Sequence, residues 1–178
     1  TSSVPGEGKS TTSGNLAIAL AQSGNSVLLV DCDMRKPSIH KKFKISNAAG
    51  TAELLLRKKL FEEVANKYNE NLTIITAGKI PPNPSEMLAS RAMTAFIEEM
   101  KKEFKYIILD TPPLQAVTDA QVLSTKADGV LLVVRAGSTK REMVLNSVDL
   151  IKKVQGKVIG TVLNGVENKK NNYYYYGE

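Results

Sequence analysis

A chain of 178 residues with 42% hydrophobic content is long enough for one domain with a full core, without disulfides or structural metals. The single cysteine, Cys32, excludes an internal disulfide, and the single histidine, His40, excludes any site built on paired histidines; both fit a reducing, cytoplasmic setting. The net charge of +6 invites a polyanion reading, but the basic residues are scattered with few aromatics among them, so nucleic acid is not expected as the main partner. No apolar run approaches the ~20 residues of a membrane-spanning helix, and no signal-peptide pattern opens the chain.

In chain order, a glycine-containing turn at Ser3–Ser10 leads into an apolar segment with helical spacing that ends at Gly24. Apolar runs rich in β-branched residues come next at Val27–Val30, Leu72–Thr76, Tyr106–Leu109, Val130–Val134 and Lys157–Leu163. Helical spacing recurs between them, around Met93–Met100 and Met143–Ile151. Pro81-Pro82-Asn83-Pro84 is a stiff, extended lead into a helix at Ser85. Continuously apolar strands alternating with helices predict a three-layer α/β fold, with a mostly parallel central sheet flanked by helices. One domain is expected over residues 1–164, and then a flexible tyrosine-rich tail over 165–178. Ligands of such sheets sit at the carboxyl ends of the strands.

Ser3-Val4-Pro5-Gly6-Glu7-Gly8-Lys9-Ser10 matches the phosphate-loop pattern G-x-x-x-x-G-K-[ST], with serine for the first glycine. Gly6 and Gly8 can aim successive N–H groups inward as an anion nest, and the helix starting near Ser10 adds its positive end. Gly6, Glu7, Gly8, Lys9, Ser10 and Thr11 are therefore the candidate nucleotide-binding residues. Lys9 is expected to bridge the β- and γ-phosphates of ATP, and the Ser10 hydroxyl to ligate Mg2+. Strand ends supply Asp31-Cys32-Asp33 and Asp110 at the same sheet edge, and carboxylates there suit Mg2+. Ser10, Asp31 and Asp110 are the candidate metal residues; Lys9, Asp31 and Asp33 are the catalytic candidates. Arg35 is a candidate for phosphate or partner binding. A phosphate loop usually comes after a buried strand, and only Thr1 and Ser2 precede this one, so a longer parent chain and a weakened sheet centre are expected.

The phosphate loop, Val30-Asp31-Cys32-Asp33-Met34-Arg35-Lys36-Pro37, Ile80–Glu86, Asp110-Thr111-Pro112-Pro113 and Thr118-Asp119-Ala120 together resemble the bacterial tyrosine kinases of capsule and exopolysaccharide synthesis. The resemblance spans nearly the whole chain, and the run Tyr173-Tyr174-Tyr175-Tyr176 completes it. It implies Walker A, A′ and B roles for the loop, the paired aspartates and Asp110. It also implies that Asp31 orients or deprotonates a tyrosine with Asp33 beside it, that Asn164 contacts adenine, and that Tyr173–Tyr176 accept phosphate, on a neighbouring copy. The implied partners are a transmembrane activator, fused or separate, which places the protein at the inner face of the membrane. Further copies of the chain, protein substrates and a phosphotyrosine phosphatase are implied too. The family's oligomerisation helix lies upstream of Walker A. The rival reading is a partitioning (ParA-like) or division-site (MinD-like) switch ATPase, whose signature lysine is replaced here by Val4.

Overall fold

The computed structural model describes residues 1–167; Tyr173–Tyr176 and the rest of the expected tail past Glu167 lie outside the described residues. In chain order the elements are α1 (Lys9–Gln22), β1 (Val27–Asp31), α2 (Ile39–Phe43), α3 (Thr51–Leu55), α4 (Phe61–Val64), β2 (Ala65–Lys67) and β3 (Leu72–Ile75). The second half comprises α5 (Pro84–Ala89), α6 (Arg91–Met100), β4 (Tyr106–Asp110), α7 (Asp119–Ser124), β5 (Val130–Arg135), α8 (Arg141–Lys153) and β6 (Val158–Asn164).

β1 is buried along its whole length because it is covered on both faces. Leu28 and Val30 join Ile75 and the apolar stripe Met93, Phe96, Ile97 and Met100 of α6. Val27 and Leu29 point the other way, to Leu72 and Ile74 and to Ala17 and Ala21 of α1. A third cluster joins Val130 and Leu132 of β5 to Ile151 of α8. The result is the layered α/β architecture expected, with β1 parallel to β3 and β4. The one antiparallel strand among the described residues, β2, was not foreseen. Its three residues, Ala-Asn-Lys, carry no apolar run; it pairs as an edge with β3, to which it is joined by a turn in which Asn69 Oδ1 accepts the Asn71 and Leu72 N–H groups.

The sheet is divided. One part has the order β2-β3-β1-β4 and the other is the parallel pair β5-β6. Thr1 and Ser2 lie between them: Ser2 forms a parallel bridge with Val133, whose N–H donates to the Thr1 carbonyl at 2.9 Å. On the other side the Leu114 N–H donates to the Ser2 carbonyl at 2.9 Å. This two-residue stretch and the phosphate loop therefore run between β4 and β5.

Candidate active site

The register places Asp31 directly opposite Asp110 at the carboxyl ends of β1 and β4, and the start of α1 faces both. Gly6 (φ 87°) and Gly8 (φ 93°) hold the left-handed angles an anion nest needs, and Gly8 caps α1. A Cβ on Gly8 would come within 2.0 Å of Asn164 Nδ2. Asn164 is itself tied to the loop, donating to the Glu7 carbonyl at 2.9 Å.

Lys9 leans across the site. Its Nζ donates to Asp33 Oδ2 at 2.8 Å and to Ser10 Oγ at 3.1 Å, and lies 4.0 Å from Asp110 Oδ2. Asp110 is fully buried; Ser13 donates to its Oδ1 at 3.1 Å, while Oδ2 has no hydrogen-bond partner among the described residues. Neither does the neighbouring Thr111 hydroxyl. A buried carboxylate oxygen without a hydrogen-bond partner is the kind of hard donor a divalent cation takes. The described residues hold no group of three His, Cys, Asp or Glu side chains that could by themselves hold a metal ion.

Asp31 is differently placed. Its Oδ1 accepts the Asp33 N–H at 3.1 Å and its Oδ2 accepts those of Ser38 and Ile39 at 3.2 and 3.1 Å, so the carboxylate organises the whole turn from Asp33 into α2. Burial, and then the negative charge of Asp110, raise its pKa from 3.8 to about 7 against those bonds. Cys32 between the two aspartates is buried, and burial drives its thiol pKa well up, which makes it packing rather than a nucleophile.

Three features were not legible beforehand. Glu7, predicted to meet nucleotide, turns its carboxylate inward: it accepts the Val4 N–H at 2.7 Å and the Thr139 hydroxyl, so only its backbone faces the nest. An acid inside a phosphate-binding loop is itself the signal that its side chain must point away. Ser3, in place of the first glycine, meets the buried Ser147 of α8, which donates to it at 2.9 Å. Arg35, a candidate for phosphate or a partner, forms a two-pronged ion pair with the fully buried Asp119, at 3.0 Å for each bond. Ser85 also donates to Asp119, so the turns after β1, β3 and β4 are joined at one point.

A family model described as an AAA domain matches residues 4–162. The chain is 42% identical to tyrosine-protein kinase YwqD of Bacillus subtilis, over 99% of this chain and 76% of that protein. It is 39% identical to the putative tyrosine-protein kinase CapB of Staphylococcus aureus, over 100% and 79%. Among solved structures, the kinase domain of Escherichia coli tyrosine kinase ETK superposes with a TM-score of 0.92 at 34% identity, covering 100% of this chain and 70% of that one. The Cyanothece McdA structure, at 21% identity and a TM-score of 0.77, shares the fold. With the Walker loop and both strand-end aspartates in one buried cluster, the chain belongs to the bacterial tyrosine-protein kinases.

Proposed function

We propose that the chain transfers the γ-phosphate of Mg-ATP to tyrosines 173–176 of a neighbouring copy, and to other proteins, under a transmembrane activator at the cytoplasmic face of the membrane. The role suggested by the capsule-type relatives is control of capsular or extracellular polysaccharide synthesis, with a phosphatase resetting the tail. The observation that carries this reading is Lys9 on Asp33, 4.0 Å from the orphaned Asp110 oxygen. No helix among the described residues is long and apolar enough to cross a membrane.

Ser10 and Asp110 would hold Mg2+, with Asp31 behind them; the ion supplies charge neutralisation for the phosphates. Gly6, Gly8 and Thr11 cradle the phosphates from the loop and the first turn of α1, and Asn164 borders the nucleotide at the end of β6. Lys9 exchanges Asp33 for the phosphates. Asp33, so released, orients the phenol hydroxyl. As the bond from the γ-phosphorus to the ADP oxygen breaks and the bond to the phenol oxygen forms, the phenol proton passes late to Asp31. A phenol has pKa ≈ 10, so no carboxylate removes that proton beforehand.

Incubating the chain with Mg-ATP and mapping phosphotyrosine by mass spectrometry tests this. Phosphate on Tyr173–Tyr176, absent in Lys9→Met, is the expected result. Phosphate released only to water would point instead to a switch ATPase.

A further inference from the structure

Between Asp33 and Glu53 the chain has no acidic residue, while Arg35, Lys36, Lys41, Lys42 and Lys44 all fall within that interval. The structure makes this a surface at the edge of the active site. Asp31 accepts the N–H groups of Ser38 and Ile39, Asp33 accepts that of Lys36 at 3.0 Å, and Lys42 Nζ donates to Thr11 Oγ1 at 2.8 Å. The two acids nearest the chemistry therefore fasten the basic segment from beneath. Arg35 is neutralised by Asp119, but Lys36, Lys41, Lys42 and Lys44 are exposed and join no ion pair among the described residues.

We infer that this basic face is a docking surface for an anionic side chain next to the acceptor tyrosine, with phosphotyrosine as its preferred occupant. The inference rests on the tyrosine-phosphorylating function proposed for the site and names its substrate class. Residues of an extended peptide lie about 3.4 Å apart per step, so the phosphate of an adjacent or alternate tyrosine falls within the ~8 Å over which surface charges act at physiological salt. The chain's own acceptor run fits this logic. Lys169 and Lys170 precede the four tyrosines and the one acid near them, Glu178, stands past the last, so the first tyrosines of the unmodified run offer little charge to the surface. The first transfer forms the phenol–phosphorus bond and releases ADP. It also leaves about −1.5 to −2 of charge beside the next acceptor. Each product then recruits the following reaction, and phosphorylation of the run accelerates after its first event.

The test uses three synthetic peptides of residues 167–178: unmodified, with one phosphotyrosine, and with one glutamate at that position. Wild-type chain is compared with the combined Lys36→Gln, Lys41→Gln, Lys44→Gln variant, whose replaced side chains make no hydrogen bond among the described residues. Exposed pairs are individually weak, so the expected gain for the phosphopeptide is about 3- to 10-fold in kcat/KM, carried by KM, with the glutamate peptide intermediate. The gain should vanish in the variant and at about 1 M salt, with KM for ATP unchanged. A phosphopeptide no better than the unmodified one, a preference that survives in the variant, or a variant that changes only KM for ATP would each overturn the inference. So would anionic vesicles that compete for these lysines at lower concentration than the phosphopeptide does. If wild-type chain labels no peptide, yet binds labelled phosphopeptide through these lysines, the transfer reading fails while the surface stands. If it does neither, both fall.

Discussion

Lys9→Met is expected to lower phosphotyrosine formation by about 10²–10³-fold, the loss usually seen when one preorganised charge-stabilising group is removed from a transition state. The same substitution should change the stability of the ligand-free chain, for a separate reason. Lys9 is the ion-pair partner of Asp33, whose side chain is 4% exposed, and the nearest cation to Asp110, whose side chain is 0% exposed. Removing it strands both acids, and the expected cost is about 1–3 kcal/mol in urea unfolding at neutral pH. Adding Asp33→Asn to Lys9→Met should recover the Asp33 part of that stability while activity stays lost, because the neutral amide no longer needs a counter-ion. Equal stability of wild type and Lys9→Met would rule out the ion pair as a stabilising element. Retained activity would rule out Lys9 on the phosphates.

The second large effect concerns Asp110. Without metal, Asp31 binds its proton up to about pH 7, whereas in the unfolded chain it would release it near 3.8. Between those values the folded state holds more protons than the unfolded state. Stability therefore falls as pH rises across that window, by up to about 1.4 kcal/mol per pH unit for one proton. Burial is the main cause and the Asp110 charge the next, so Asp110→Asn removes part of the shift and narrows the window. In EDTA this variant should lose less stability than wild type between about pH 5 and pH 8. Its activity should fall by about 10²-fold or more, since the orphaned oxygen that suits Mg2+ is gone. An unchanged pH slope in urea unfolding would refute the coupling of the two aspartates.

Both effects involve residues that were legible from the sequence, and for a common reason. A loop with two glycines and a lysine, or an apolar run ending in aspartate, is a local pattern, and parallel pairing brings all strand ends to one edge. That logic located Lys9, Ser10, Asp31, Asp33 and Asp110 together and predicted the layered fold. It failed where the partner is distant along the chain. Nothing near Arg35 points to Asp119, nor near Ser3 to Ser147; each pair is created by helices packing on the sheet. β2 escaped because an edge strand needs no apolar face. The inward turn of the Glu7 carboxylate, which accepts the Val4 N–H while its backbone belongs to the loop, likewise depends on contacts that no local pattern states.

The same distant contacts give the phosphate loop a mechanical character. Ser3 is bound to α8, Glu7 to Thr139 beyond β5, and Asn164 of β6 to the loop backbone, whereas Lys9 reaches the acids of β1 and β4. The loop thus ties α8, Thr139 and the end of β6 to the acids at the carboxyl ends of β1 and β4. By mass action, a nucleotide at a hundred times its dissociation constant adds about 2.7 kcal/mol to the folded state. A ligand held by the loop would therefore also brace Ser147 of α8, Thr139 and Asn164 through the contacts the loop makes with them.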